Sequence, residues 1–121
     1  MSLKSFRFPR NDSKLLWTNH IVAKMRYYGI SEQKIKNIVR SPERKEDGVA
    51  PKTVAVMNAV KSKSKPHEIW VMYQPASPKS KNQSSKLILI SAWRYPGRSP
   101  VGKKIEIPED VLADIKKFLR G

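Results

Sequence analysis

Apolar positions along the chain fall into helical and strand rhythms. Ile21, Val22, Met25 and Tyr28 recur at the spacing of one buried helical stripe. Thr18 is placed to cap that stripe at its start and Gly29 to end it at C′, which predicts a helix of about ten residues. Ser31 caps a second short helix whose core side is Ile35, Ile38 and Val39, with Ile30 closing over Ile35 as a hydrophobic staple and Pro42 ending it. Glu43 to Gly48 is then expected to be a charged loop. Runs at Thr53–Val60, Glu68–Tyr73 and Leu87–Trp93 read as strands, and the last two carry apolar groups on both faces, as central strands do. Lys14–Trp17 predicts a short extra strand and Lys103–Ile107 an edge strand. Pro108-Glu109-Asp110 opens a final helix, acidic in its first turn and basic in its last, with Val111, Leu112, Ile115, Phe118 and Leu119 as its stripe.

These elements predict an α+β domain of a short strand, two N-terminal helices, a three-stranded antiparallel meander and a C-terminal helix, with the helices packed on one face of the small antiparallel sheet. Residues 1–13 read as a loose basic arm and 14–121 as the single domain. The connectors 61–66 and 75–86 are rich in Ser, Lys and Pro and read as mobile hairpin tips.

Charge sharpens the picture. The 121 residues include 25 Lys and Arg against 10 Asp and Glu, a net charge of +15 that suggests a polyanionic partner. Without cysteine, disulfides, thiolate zinc sites and cysteine nucleophiles are excluded. No apolar run approaches the roughly 20 residues needed to span a bilayer, and Met1-Ser2-Leu3-Lys4 shows no signal-peptide core, so a cytosolic protein without a membrane partner is expected.

The stretch from Trp17 to Arg26, then Gly29-Ile30-Ser31 and Ser41-Pro42, resembles the opening of the domain of unknown function 4258 family. Its members begin with a histidine-led helix, a Gly-Ile-Ser turn and a second helix ending at proline. That family looks like a branch of the RelE/ParE/BrnT superfamily of bacterial toxins, and the resemblance covers roughly residues 14–95. It implies a RelE-like fold, RNA or the ribosome as target, and an acidic antitoxin as partner. It also implies metal-independent cleavage of messenger RNA by basic residues, a histidine or a tyrosine in the cup of the sheet. Arg94 and Tyr95, at the end of the last core strand, match that site in kind. The chain departs from the pattern in its long connectors, its helix after residue 108 and its apolar, arginine-poor strands.

The residues themselves allow such chemistry. Cleavage without metal needs a base for the 2′-hydroxyl, an acid for the leaving oxygen and cations around the phosphorane. His20 is a candidate base or acid, on a helical stripe with Lys24 and Tyr27; its plainer role is to pack the helix start against a backbone carbonyl. Arg94 can hold a phosphate bidentately and Tyr95 can stack on a base or donate a proton. Their plainer roles are a strand-end salt bridge and a core-edge ring. Lys24, Arg26 and Arg98 extend the candidate nucleic-acid surface, while Lys61, Lys63 and Lys65 and Lys79, Lys81 and Lys86 supply diffuse phosphate attraction. No carboxylates and histidines are spaced as a metal site, and the five glycines form no phosphate loop, so no cofactor is expected. An RNA- or ribosome-directed RelE-like protein with ribonuclease activity is the leading expectation. A non-catalytic nucleic-acid-binding module, with DNA as another target, and a protein-interaction domain are its competitors.

Overall fold

The structure, a computed structural model, describes residues 8–76 and 86–120. In chain order the elements are β1 (Leu15–Trp17), α1 (Asn19–Tyr28), α2 (Glu32–Arg40), β2 (Arg44–Asp47), β3 (Val54–Val60), β4 (His67–Pro75), β5 (Leu87–Pro96) and α3 (Glu109–Arg120). Both expected helix starts form as the caps dictate. The Thr18 hydroxyl accepts the Ile21 amide and the Ser31 hydroxyl the Lys34 amide. Thr18 also donates to the Leu89 carbonyl at 2.7 Å, so the cap that starts α1 fastens it to β5. Gly29 ends α1 at φ 67°, a left-handed conformation that a residue with a Cβ enters only at a cost.

The five strands make one mixed sheet in the order β1-β5-β4-β3-β2. β2 to β5 are antiparallel neighbours, and β1 lies parallel to β5 with Leu15 opposite Leu87. The sheet is therefore larger than the expected meander and not purely antiparallel, because β1 joins it in parallel and β2 adds a strand. Glu43 to Gly48 is mostly strand β2 and not a loop, paired from Arg44 opposite Met57 to Asp47 opposite Val54. Its residues are all charged, so no hydrophobic alternation betrays it, yet Arg44 and Glu46 are half-buried while Lys45 and Asp47 are exposed. Conversely, Lys103–Ile107 forms no strand. Its alternating Ile105 and Ile107 pack against the sheet face, so there the alternation reports burial and not pairing.

The helices occupy both faces of the sheet, which corrects the one-face expectation. On one face Ile21, Val22, Met25, Ile35 and Ile38 of α1 and α2 pack with Val56, Ile69, Val71, Leu89 and Ala92. On the other, Val111 and Ile115 of α3 pack with Met57, Trp70, Met72, Ile90 and Trp93. Within α3 the stripe is narrower than expected, because Leu119 is exposed. A β-bulge in β5 serves the second face. Met72 pairs with Ser91 but Tyr73 with Leu89, so Ile90 is the extra residue. Ile90 joins the α3 core, and the neighbouring Ser91 hydroxyl reaches Asp114 of α3 at 3.3 Å.

The expected loose arm is ordered where it meets β1. Asp12 Oδ1 accepts the Lys14 and Leu15 amides at 2.7 and 2.8 Å, and Asn11 Oδ1 accepts the Trp17 amide at 2.7 Å. The bonds from Leu15 and Lys14 hold the Asp12 carboxyl below its ordinary pKa. They also cover the outer edge of β1, an exposed strand edge that would otherwise invite pairing. The centre of the connector 75–86 lies outside the described residues, while its ends close with the Ala76 amide donating to the Lys86 carbonyl at 2.7 Å.

Candidate nucleic-acid interface

The β3–β4 connector and the end of β5 meet at one end of the sheet. Val60 and His67 pair across the first hairpin, His67 and Pro96 across the second, and the Gly97 amide donates to the Pro66 carbonyl at 2.9 Å. The connector makes its own turn, with the Ser62 hydroxyl accepting the Lys65 amide. Lys61, Lys63, Lys65 and Arg98 are exposed at this end, and among the described residues no ion pair reaches any of them. Lys86 sits at the other end of β5, roughly 30 Å away for a strand of this length. Lys79 and Lys81 lie outside the described residues. The described lysines of the two expected clusters, 61–65 and Lys86, thus lie at opposite ends of the sheet.

Arg94 stands at the basic end on the α1 face. Its Nε donates to the Tyr28 carbonyl at 2.8 Å and its Nη2 to the Gly29 carbonyl at 3.1 Å. These are terminal carbonyls of α1, which lack partners within the helix, and a cation there also complements the helix dipole. Nη1 contacts His67 Nε2. Arginine has only donors, so Nε2 is the acceptor and His67 Nδ1 carries the proton donated to the Lys65 carbonyl at 2.8 Å. One guanidinium therefore ties the end of α1 to the start of β4 and, through His67, to the lysine-bearing turn. Arg94→Ala is expected to lower stability by about 2 kcal/mol, since three acceptors lose a charged donor at a half-exposed site. RNA affinity per folded molecule should stay within about threefold of wild type, because on this geometry Arg94 acts by positioning. Thermal melting beside RNA titration checks both, and a stable variant that no longer binds would assign Arg94 to the ligand.

Two shallow clefts flank Arg94, and charge distinguishes them. The one toward α3, about 280 Å3, is lined by Arg94, Tyr95, Pro96, Glu106, Ile107 and Pro108. Glu106 puts negative charge there, against a phosphate. The one toward the turn, about 460 Å3, is lined by Lys65, Pro66, His67, Arg94 and Pro96 and carries no acid. Tyr95 points to the opposite face from Arg94, where its half-buried ring packs on the α3 core.

His20 and Lys24 belong elsewhere, to a polar seam between α1 and α3. His20 Nδ1 lies 3.4 Å from Asp114, and Lys24 Nζ lies 3.1 Å from Asp110 and 3.3 Å from Asp114. An i, i+4 pair of bases on one helix meets an i, i+4 pair of acids on the other. Burial pulls the Lys24 ammonium down, but hydrogen bonds to Asp110 and Asp114 outweigh it and leave its pKa raised. Burial, reinforced by the Asp110 charge, pushes the nearby Tyr28 hydroxyl up. Tyr27, on the predicted stripe with His20 and Lys24, is exposed and lies edge-on to Tyr28, and Arg26 is exposed.

A second polar group has no counterpart in the sequence-based expectations. Glu68 is 1% exposed and faces α3, where Oε1 accepts the Trp70 indole N–H at 3.0 Å and the Ser99 hydroxyl at 2.6 Å, and Oε2 the Ser99 amide at 3.2 Å. Arg44 donates to Ser99 Oγ at 2.8 Å and to the Pro100 carbonyl at 3.0 Å, while its guanidinium lies over the Trp70 ring at 5.3 Å. The signal for it is a single carboxylate inside a strand apolar on both faces, since such a group survives burial only when fully partnered.

Among the described residues no group of three His, Asp or Glu side chains is close enough to hold a metal ion, and no helix is long and apolar enough to cross a membrane. No family model, no curated protein and no solved structure matches the chain.

Proposed function

We propose that the protein is an RNA-directed binding domain that grips the phosphate backbone at the basic end of its sheet, without cutting it. The observation that carries this reading is the segregation of charge. Asp110 and Asp114 are engaged in the α1–α3 seam, Glu46 by Arg44, Glu32 by Lys36, and Glu68 is buried. Lys61, Lys63, Lys65 and Arg98 are left exposed without ion pairs among the described residues, beside a cleft lined by no acid. They outnumber the two exposed acids nearby, Glu43 at the Ala59 amide and Glu106 in the neighbouring cleft. Clustered cations of this kind attract a polyanion by releasing its counterions. RNA is preferred over DNA because the N-terminal helices resemble the RelE-like families.

Cleavage would require an acid and a base within about 3 Å of the reacting groups. His20 faces Asp114 in the seam, and three of the Arg94 donors are directed at acceptors within the fold, which supports binding over catalysis. Titration of a labelled RNA should give micromolar or tighter affinity at low salt, and the RNA should stay full length on prolonged incubation. Absence of binding at low ionic strength would defeat the proposal. Metal-independent shortening of the RNA would replace it with the ribonuclease reading, and with it the toxin partnership with an acidic antitoxin.

A further inference from the structure

The cleft between the basic turn and Arg94 has a composition that phosphate binding alone does not call for. Two of its five lining residues, Pro66 and Pro96, are exposed prolines that offer apolar ring faces and no N–H. Both His67 ring nitrogens are engaged, Nδ1 by the Lys65 carbonyl and Nε2 by Arg94, so what the ring can offer a ligand is its face. Those two bonds also fix the ring in place, so little side-chain freedom remains to be lost on binding. Lys65, exposed at the rim, supplies positive charge next to this apolar slot.

We infer that the slot takes an unstacked nucleobase against His67 while neighbouring phosphates lie along Lys65 and Lys63, so that the nucleic acid recognised is single-stranded. This rests on the proposed polyanion-binding function and narrows it to one substrate class. A flat π system beside a negative charge is what a ring face, two prolines and a lysine together accommodate. Bases in a duplex are stacked on each other and cannot enter, whereas single-strand binders combine a basic track with such platforms.

The test compares an RNA of about a dozen nucleotides, the same sequence as a duplex, and the same strand made abasic. The wild-type protein should bind the strand about tenfold or more tighter than the duplex, and the abasic strand should lose most of that advantage. His67→Phe keeps a ring and loses both hydrogen bonds, while His67→Gln keeps polar atoms and loses the ring. The preference should survive in His67→Phe and fall to within about threefold in His67→Gln, with melting curves confirming that both are folded. Equal binding of strand and duplex by the wild type, or an undiminished preference in His67→Gln, would overturn the slot and leave the polyanion reading standing. Failure of all three RNAs to bind at low salt would overturn both.

Discussion

Replacing Trp93 with alanine is expected to lower the unfolding free energy by about 3–5 kcal/mol. The indole is fully buried and stacked on Trp70, with ring centroids 6.0 Å apart and planes within 5°, at the centre of the face that carries α3. Its removal leaves a cavity between β4, β5 and α3 that cannot close without moving the sheet. One term opposes this. Trp93 Nε1 is buried with no hydrogen-bond partner among the described residues, so the truncation also relieves an unpaired donor worth about 1–3 kcal/mol. The cavity outweighs that relief for alanine. Phenylalanine keeps most of the ring and removes the orphan N–H, so Trp93→Phe should cost well under half as much. Denaturant unfolding of the two variants checks the ranking, and equal losses would show that a phenyl ring does not fill the space the indole leaves.

Glu68→Ala is expected to cost about 3 kcal/mol or more, by a different route. Loss of the carboxylate strands the Trp70 indole N–H and the Ser99 amide in the interior and leaves Arg44 without a nearby negative partner except Glu46. It also removes one anchor of the 97–108 segment, because Ser99 meets Glu68 through both its amide and its hydroxyl, and leaves Arg44, Ile105 and Ile107 to hold it. Trypsin should therefore cut at Lys103 and Lys104 markedly faster than in the wild type, even under conditions where the variant remains folded. Unchanged proteolysis together with unchanged stability would mean that Arg44, Ile105 and Ile107 hold the segment without the carboxylate.

What the sequence discloses follows from where its signals are local. Thr18, Gly29 and Ser31 each act within a few residues of themselves, so both N-terminal helices are legible to their caps. The strands are legible where burial alternates, but β2 is charged on both faces and becomes a strand only because β3 offers it a partner. The opposite failure occurs at Ile105 and Ile107, where burial without pairing imitates a strand. Placement of the helices on two faces depends on α3 crossing under the sheet, and the hint is the two-sided apolarity of β4 and β5, which one layer of helices could not cover. For the candidate site, the lysines of the β3–β4 turn are legible as exposed, since nothing apolar surrounds them in the chain. The partners of His20, Lys24 and Arg94 are not legible. Asp114 lies 94 residues from His20 and the Tyr28 carbonyl 66 from Arg94, and no local pattern encodes such pairings. A matched i, i+4 spacing of bases on α1 and acids on α3 is the one available clue.

On the proposed function, the lysines of the β3–β4 turn hold phosphate while Arg94 holds the fold. The most direct measurement is the salt dependence of single-stranded RNA affinity for the wild type and for a triple variant with Lys61, Lys63 and Lys65 changed to glutamine. Each phosphate that the protein no longer neutralises should flatten the plot of log affinity against log salt by about 0.7, so the slope of the triple variant should be shallower by about 2, with its melting temperature unchanged. The same slope in both proteins would show that these lysines hold no phosphate and move the RNA away from this end of the sheet.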